Sequence, residues 1–367
     1  MQLLFDGHLD IAMNALAYER DQRLTVDQIR VREHAPNESE RGTCTLSFPE
    51  LRAANTAVVV GTIFIRCKPN VDPARTIFRE DADYPDPTMA YAVGQSQVAY
   101  YKLMEEMGEL RFITNKAELA AHLELWEESS DPVADHLPIG LVLMMEGADP
   151  IVDIEQAKQW YDQGLRCISL AHFGHSRFSC GTPSAAEPDG PLTDLGRALL
   201  VEMDQLGIVL DLSHIADQSF SQAVDIYQGP LIATHTNCRA IADTGRQMTD
   251  DQFKTIINRG GVIGAVMCVS MIRHPLDREQ FPHDVTINEL ADHILRICDL
   301  AGNTNHVGFG TDMDGGFGAA WTPVEIDRFT DLHKFADCLS GRGFSDTDIT
   351  KFFSGNWQRF WMQNLPG

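Results

Sequence analysis

His8 and Asp10 are two potential metal ligands separated by a single residue, at the end of an apolar segment that begins at Leu3. The segment predicts a short strand, and side chains two residues apart on a strand point to the same face. An imidazole and a carboxylate on one face can bind the same cation. We therefore expect the rest of the chain to bring further ligands to this pair.

Five more Asp, Glu or His residues each come at or just after the end of a predicted apolar strand. They are Glu146, His172, His214, His235 and Asp312. Taken alone, a histidine after a strand is more often a hydrogen-bonding group in a loop, and a carboxylate can cap a helix or stabilise a turn. Polar groups with purely structural roles are not expected to lie all at the same end of six strands. The joint pattern therefore indicates a functional site.

Imidazole and carboxylate ligands suit zinc and related divalent ions, and without thiolates a closed structural zinc site is not expected. One catalytic ion needs fewer ligands than this set offers: His8, Asp10, Glu146, His214 and His235. Two ions roughly 3.5–4 Å apart that share a carboxylate would use them all, and a water between them would become a nucleophile near neutral pH. Glu146 is the only glutamate in the set and therefore the natural bridge. Zinc, cobalt and manganese share such ligands, so the native metal stays open.

The elements that must position these residues alternate between apolar strands and helices. Strands are predicted in residues 3–10, 56–67, 138–146, 166–172, 207–214, 230–235, 261–269 and 306–312. Near-continuous apolar strands indicate a parallel sheet buried on both faces, either doubly wound or closed into a barrel. The number of strands and the chain length favour a single-domain α/β protein, a (β/α)8 TIM barrel over residues 1–367. Its strand ends would converge on the face where barrels build active sites.

Two helical stretches, 324–339 and 346–364, are expected to extend the barrel at the C-terminus, and residues 12–32 are expected to be mostly helical. Residues 44–50 are expected to form a loop. Histidines that fall on predicted helices or loops are expected at the surface. They are His34, His122, His136, His283, His293 and His333.

Composition narrows the class of protein further. The chain has 367 residues, 44% of them hydrophobic and 22% charged, as in soluble globular proteins. A formal net charge of -24 and the lack of a Lys/Arg run argue against partners such as nucleic acid or an anionic membrane surface. Eight cysteines without a Cys-x-x-Cys pair predict neither a disulfide framework nor a thiolate zinc site. No signal peptide or membrane helix is apparent, which predicts a reduced, cytoplasmic protein.

Ordered segments of the chain resemble the membrane (renal) dipeptidase family, peptidase family M19, of the amidohydrolase-like barrels. The matching segments are 6–10 (DGHLD), 146–147 (EG), 170–172 (LAH), 207–214 (GIVLDLSH), 233–239 (ATHTNCR), Arg246 and 308–315 (GFGTDMDG). They stand in the family's order and span nearly the whole chain.

The resemblance implies a binuclear zinc dipeptidase with two Zn2+ per chain. His8 and Asp10 would bind one ion, His214 and His235 would bind the other, and Glu146 would bridge them as part of the catalytic centre. The substrate would be a dipeptide, with a D- or dehydro-residue at the C-terminal position. A homodimer is the family expectation.

The resemblance also implies roles for three further residues. His172 would polarise the scissile carbonyl and stabilise the developing oxyanion. Arg246 would bind the substrate's C-terminal carboxylate through its guanidinium fork; without the resemblance, a surface arginine would be the simpler interpretation. Asp312 would orient the bridging hydroxide and pass its proton to the leaving amine.

The sequence departs from the family pattern around the substrate pocket. Gly147 is followed by Ala148 where a second glycine is common, and residues 173–180 lack the family's Asn/Trp/Asp-rich loop. Two alternatives therefore stay open. One is a hydrolase with the same metals that acts on a lactone, an N-acyl amino acid or another small amide. The other is a non-catalytic barrel that binds a small ligand.

Overall fold

The strands form a parallel barrel in a computed structural model that describes residues 1–33, 42–68, 83–276 and 283–367. The strands are β1 (Leu4–Leu9), β2 (Thr56–Phe64), β3 (Arg66–Cys67), β4 (Asp83–Tyr84), β5 (Leu110–Phe112), β6 (Ile139–Glu146), β7 (Leu165–Ser169), β8 (Val209–Asp211), β9 (Leu231–Ile232), β10 (Ile263–Ala265) and β11 (Val307–Phe309). Eight of them follow the order β10-β11-β1-β2-β6-β7-β8-β9, all pairs parallel, with β5 beside β6. The predicted (β/α)8 barrel is confirmed.

Helices connect these strands and cover the barrel. They are α1 (Ile11–Ala17), α2 (Val26–Arg32), α3 (Phe48–Ala53), α4 (Pro87–Glu106), α5 (Lys116–Glu128), α6 (Gln156–Asp162), α7 (Asp194–Leu206), α8 (Asp217–Ile226), α9 (Asp250–Asn258), α10 (Val269–Ile272), α11 (Ile287–Ala301), α12 (Lys334–Gly341), α13 (Asp346–Thr350) and α14 (Asn356–Asn364). The last three form the predicted C-terminal helical extension. A π-helical turn, Lys351–Gly355, joins α13 to α14.

The barrel closes at a seam between β9 and β10. A single parallel bridge pairs Ala233 with Ile263. Next to it, the amide of Gly264 donates to the carbonyl of Ala233 at 2.8 Å, and the amide of Thr236 donates to the carbonyl of Gly264 at 2.8 Å. The seam therefore consists of a short pairing, and its hydrogen bonds hold the backbone on both sides of His235.

The central strands are buried along their whole length. Every residue of β2 and of β6 is buried, and the two strands pair in register from Val58 and Gly140 to Phe64 and Glu146. Their β-branched and aliphatic side chains suit a pleated surface that is covered on both faces. This rigid pair holds Glu146 at the carboxyl end of the sheet.

Some local predictions differ from the structure. The predicted helix 12–32 is two helices, because residues 18–25 turn away and Thr25 caps α2 with a capping box. The predicted loop 44–50 contains the start of α3, where Ser47 caps the helix and a proline lies in its first turn. His122 and His293 are fully buried rather than at the surface, whereas His34 lies outside the described residues.

Candidate active site

The carboxyl ends of the barrel strands bring the seven predicted site residues to one mouth. His8 lies in β1, Asp10 directly follows it, and Glu146 ends β6. The other four each follow a strand by three residues: His172 after β7, His214 after β8, His235 after β9 and Asp312 after β11. Equal spacing after parallel strands places these side chains at one height on the barrel.

Glu146 lies at the centre of this group and divides its two carboxylate oxygens between two sets of histidines. Its Oε2 is 3.4 Å from Nε2 of His8. Its Oε1 is 3.4 Å from Nε2 of His214 and 3.4 Å from Nε2 of His235. This division would allow the carboxylate to bind one cation through each oxygen.

Three sets of potential ligand atoms lie within 4.8 Å of one another among the described residues. They are His8 with Asp10 and Glu146, Glu146 with His214 and His235, and His8 with His235 and Asp312. The first two sets coincide with the two groups of ligands that the family resemblance implies. The third places Asp312 next to both.

The histidine nitrogens at the centre fit a bound cation. Nε2 of His8 is buried and has no hydrogen-bond partner in the part of the chain that the structure describes. Nε2 of His214 lies 3.0 Å from Nε2 of His235. The 3.4 Å distances to Glu146 are longer than good hydrogen bonds. Imidazole nitrogens that converge on carboxylate oxygens in a buried space are a donor set suited to a divalent ion.

The charges of the protein groups also favour cations at this position. Burial raises the pKa of Glu146, but His8 and His172 outweigh that effect and lower it to about 2. Burial and the nearby Glu146 raise the pKa of Asp10 to about 7. Burial also raises the pKa of Asp312 well above its usual range, although His8 opposes this. Divalent ions would stabilise the charged forms of these crowded carboxylates.

Buried hydroxyl and carboxylate groups hold the first ligand pair. The hydroxyl of Thr62 in β2 donates to Oδ1 of Asp10. Oδ1 of Asp6 accepts the amide of His8 at 2.9 Å and the amide of Thr311 at 3.1 Å. Thr62 therefore holds the carboxylate of Asp10, and Asp6 holds the backbone of His8. Thr62 carries no functional signal in the sequence, since it lies inside an apolar strand.

His172 is oriented by an arginine that the sequence did not single out. Nη1 of Arg66 lies 3.3 Å from Nδ1 of His172, and Nε of Arg66 pairs with Asp83 at 2.5 Å. A guanidinium can only donate, so Nδ1 of His172 accepts and its Nε2 carries the proton. Nε2 lies 3.9 Å from Oε1 of Glu146 and is aimed at the centre of the site.

Arg246 is buried next to the same centre, with 7% of its surface exposed. Its Nη2 donates to the carbonyl of His235 at 2.7 Å, whereas Nε and Nη1 have no hydrogen-bond partner among the described residues. Asp312 and Cys268 of the cavity wall lie close enough to interact with its charge, although Arg246 lies outside that wall. Buried donors without partners are costly, so this guanidinium is suited to an anion.

The backbone is strained at three residues that follow strands β8 and β11. His214 has a φ of 62°, Asp312 a φ of 55° and Asp314 a φ of 65°. Non-glycine residues in this left-handed region cost about 1–3 kcal/mol each. Asp314 also anchors the surrounding loop, because its Oδ1 accepts the Thr45 hydroxyl at 2.7 Å and its Oδ2 lies 3.4 Å from Arg20.

A cavity of about 370 Å³ opens onto these groups, within the range of small-molecule sites. Its wall includes the polar groups Asp10, Arg66, Glu146, His172, His214 and Asp312. It also includes largely apolar side chains, those of Met13, Tyr18, Phe64, Phe173, Met271 and Phe317. These apolar residues lie on segments far apart in the sequence, so no local pattern could have indicated them.

The fold and the ligand cluster define an amidohydrolase-like α/β barrel with a metal-type site. The membrane dipeptidase family, peptidase family M19, matches residues 2–365 of the chain. The chain therefore belongs to this family. Within the described residues, no helix is both long and apolar enough to cross a lipid bilayer.

Similar proteins include two uncharacterised dipeptidases of Schizosaccharomyces pombe. One is 27% identical over 79% of this chain and 64% of its own length. The other is 24% identical over 98% of this chain and 80% of its own length. The chain thus spans less than two thirds of the first relative.

Solved structures show the same fold. A metallopeptidase from Rhodobacter sphaeroides, liganded with a phosphinate mimic of the dipeptide L-Ala-D-Ala, has a TM-score of 0.75 at 22% identity over 100% of both chains. A dipeptidase of family M19 has a TM-score of 0.77 at 22% identity, with 100% of this chain and 99% of that chain covered.

Proposed function

We propose that this protein is a dipeptidase that holds two divalent cations, with zinc as the expected ion. The observation that carries the proposal is the position of Glu146, whose two oxygens face His8 on one side and the His214–His235 pair on the other. With Asp10 beside His8, the five residues supply the ligands of two ions. When bound, such ions supply Lewis acidity and lower the pKa of a water molecule.

The other residues of the site fit the hydrolysis of an amide bond. The Nε2 proton of His172 is aimed into the cavity, where it can donate to the carbonyl oxygen of the scissile bond as negative charge develops. Asp312 lies 3.8 Å from Nε2 of His8 and can carry a proton to the leaving amine. The free donors of Arg246 suit the carboxylate of the substrate's C-terminus.

A dipeptide is the substrate class that these groups favour. The cavity of about 370 Å³ suits a small substrate rather than a polypeptide. Membership of the dipeptidase family supports this choice. The bound L-Ala-D-Ala mimic in the Rhodobacter sphaeroides metallopeptidase supports a D-residue at the C-terminal position.

A substrate screen with zinc-loaded protein tests the proposal. The panel contains L,L- and L,D-dipeptides, the same dipeptides with an amidated C-terminus, N-acyl amino acids and a lactone. We expect turnover of free dipeptides, little turnover of the amidated ones, and about two zinc ions per chain by elemental analysis. The Glu146→Gln variant should lose bound zinc, whereas Glu155→Gln, an exposed residue just before α6, should not.

Each other outcome has a distinct meaning. Turnover of N-acyl amino acids or lactones without any cleavage of dipeptides would replace the dipeptidase by another hydrolase with the same metals. Fewer than one zinc ion per chain after loading, together with no turnover, would favour a barrel that only binds a ligand.

A further inference from the structure

A single buried hydroxyl lies between the two proposed cation positions. Oγ1 of Thr234 is 2.9 Å from Nδ1 of His235 and 3.2 Å from Nδ1 of His8. It is also 2.7 Å from Oδ2 of Asp211. All four side chains are at most 1% exposed. Thr234 is therefore the one described residue whose side chain contacts a proposed ligand of each ion on the nitrogen opposite Glu146.

The direction of each hydrogen bond follows from the donors around Asp211. Oδ1 of Asp211 accepts the amides of Ser213 at 3.0 Å and Thr234 at 2.8 Å, and the Ser213 hydroxyl at 2.9 Å. A carboxylate surrounded by donors is an acceptor, so the Thr234 hydroxyl donates its only proton to Oδ2. The hydroxyl of Ser213 also lies 3.2 Å from Oγ1 of Thr234, but its proton goes to the closer Oδ1 of Asp211. The Ser213 oxygen accepts the amide of His235 at 3.1 Å.

The two lone pairs of Thr234 Oγ1 then face the two histidines. Each Nδ1 must donate, so His8 and His235 both carry their proton on Nδ1. Their Nε2 atoms keep a free lone pair, and both Nε2 atoms lie 3.4 Å from Glu146. This is the protonation pattern that a metal-binding imidazole needs, with the opposite nitrogen held by a second group.

We propose that Thr234 is a positioning residue that sets the metal-binding tautomer of His8 and His235 together, and so couples the two cation positions through one hydroxyl. The inference rests on the two-cation site proposed above. It does not depend on which substrate the site hydrolyses.

His214 provides a control within the same site. Its Nδ1 lies 3.0 Å from the hydroxyl of a different residue, Thr182, which can donate to the carbonyl of His214 at 3.5 Å. Thr182 therefore serves a ligand of one ion only. Removal of the two hydroxyls should have different consequences: Thr234 should affect both ions, and Thr182 should affect one.

The test compares Thr234→Val, Thr234→Ser and Thr182→Val by competition of Zn2+ with a chromophoric chelator. We expect Thr234→Val to weaken both zinc sites, each by roughly 10- to 100-fold, the usual effect of losing such a supporting group. Thr234→Ser keeps the hydroxyl and should restore both affinities. Thr182→Val should weaken one site and leave the other as in the unmodified protein.

Nitrogen NMR of the zinc-loaded, unmodified protein gives a second readout that requires no variant to fold. We expect His8 and His235 to show a protonated Nδ1 and a zinc-bound Nε2. Zinc on Nδ1 of either histidine would overturn the proposal, as would a Thr234→Val protein that binds two ions as tightly as the unmodified one. Normal zinc binding and tautomers without dipeptide turnover would instead contradict the proposed function alone.

Discussion

At the scale of single residues, Arg246 is the residue that we propose determines which substrates the site accepts. We expect Arg246→Ala to reduce kcat/KM for free dipeptides by at least about 100-fold, because a buried charge-assisted contact to the substrate carboxylate is lost. Amide or ester substrates without a free carboxylate should be affected much less. Steady-state kinetics on matched free and amidated dipeptides measures the difference.

Arg239 provides the control for that variant, since it lies on the same segment but pairs with Asp217 away from the cavity. Arg239→Ala should leave the preference for free dipeptides unchanged. An equal loss for free and amidated substrates in Arg246→Ala would show that Arg246 supports the structure of the site rather than the substrate.

Arg66 is expected to act through His172. Arg66→Met removes the donor to Nδ1 of His172, so the proton can move to that nitrogen and the cavity loses a donor. We expect kcat to fall by roughly 10- to 100-fold, since removal of an oxyanion donor itself costs about 100- to 1,000-fold. KM and zinc content should change little. An unchanged kcat in Arg66→Met would rule out this role.

The site was partly predictable because its ligands have distinctive chemistry at strand ends. His8, Glu146 and His235 could be selected from residue type and position alone, and the structure brings them together. Arg66 and Thr234 could not be selected. Each contacts a histidine far away in the sequence, and neither residue type is unusual in a strand or loop.

At the scale of elements, the seam between β9 and β10 requires glycine. A Cβ added to Gly264 would lie 1.8 Å from the carbonyl oxygen of Thr234, and one added to Gly310 would lie 1.7 Å from it. Gly264→Ala must therefore push the seam apart, at a cost of at least about 1–3 kcal/mol of unfolding free energy. Zinc affinity should also fall, because Thr234 and His235 move with the seam.

Chemical denaturation and the zinc competition assay measure both effects of Gly264→Ala. Gly341→Ala is the matched control, since an added Cβ there has nothing within 4 Å, and its stability should change by no more than about 0.5 kcal/mol. A Gly264→Ala protein as stable as the Gly341→Ala protein would contradict the close packing of the seam.

His122 links α5 to β2 and should make the fold sensitive to acid. Its Nε2 bonds the carbonyl of Ala57 at 2.8 Å, and burial lowers its pKa from 6.5 to about 4. As the pH falls, the unfolded chain therefore takes up this proton at a higher pH than the folded protein does. The stabilisation of the fold by neutral His122 is present above pH 6.5 and is lost as the pH falls to about 4. The loss is about 3 kcal/mol when complete.

Denaturant unfolding at several pH values tests this contribution by comparison with His122→Gln, which does not titrate. We expect the difference in unfolding free energy between the two proteins to shrink as the pH falls from 6.5 to 4. Burial raises the pKa of other acids, that of Asp149 to about 6. Such acids titrate in both proteins, so their effects cancel in the difference. A difference that stays constant with pH would contradict a buried neutral His122.

The order of elements was predictable because strand and helix patterns alternate clearly. Predicted strands are longer than the observed ones, as for 207–214 against β8 (Val209–Asp211). They are longer because the site residues at the strand ends bend out of the sheet. The strained φ of His214 is one such bend. Burial of His122 was not predictable, since a helix histidine shows its partner only once the fold is known.

At the scale of the whole molecule, several expectations stay predictions. The single domain, the homodimer, the cytoplasmic location and the lack of nucleic-acid or membrane partners follow from composition or family resemblance. The net charge of -24 predicts that polyanions repel the protein, whatever their sequence. Light scattering coupled to size-exclusion chromatography would test the dimer directly.

The C-terminal helices connect the end of the chain to its first strand, and Trp357 makes that connection. Its Nε1 donates to the carbonyl of Phe309 at 2.7 Å, and its ring packs so closely on Gly7 that an added Cβ would lie 2.4 Å away. Trp357→Ala should cost about 3–5 kcal/mol of unfolding free energy, measured by denaturant unfolding. Met362→Ala, at a site 36% exposed on the same helix, should cost far less, and equal losses would show that α14 does not anchor β1.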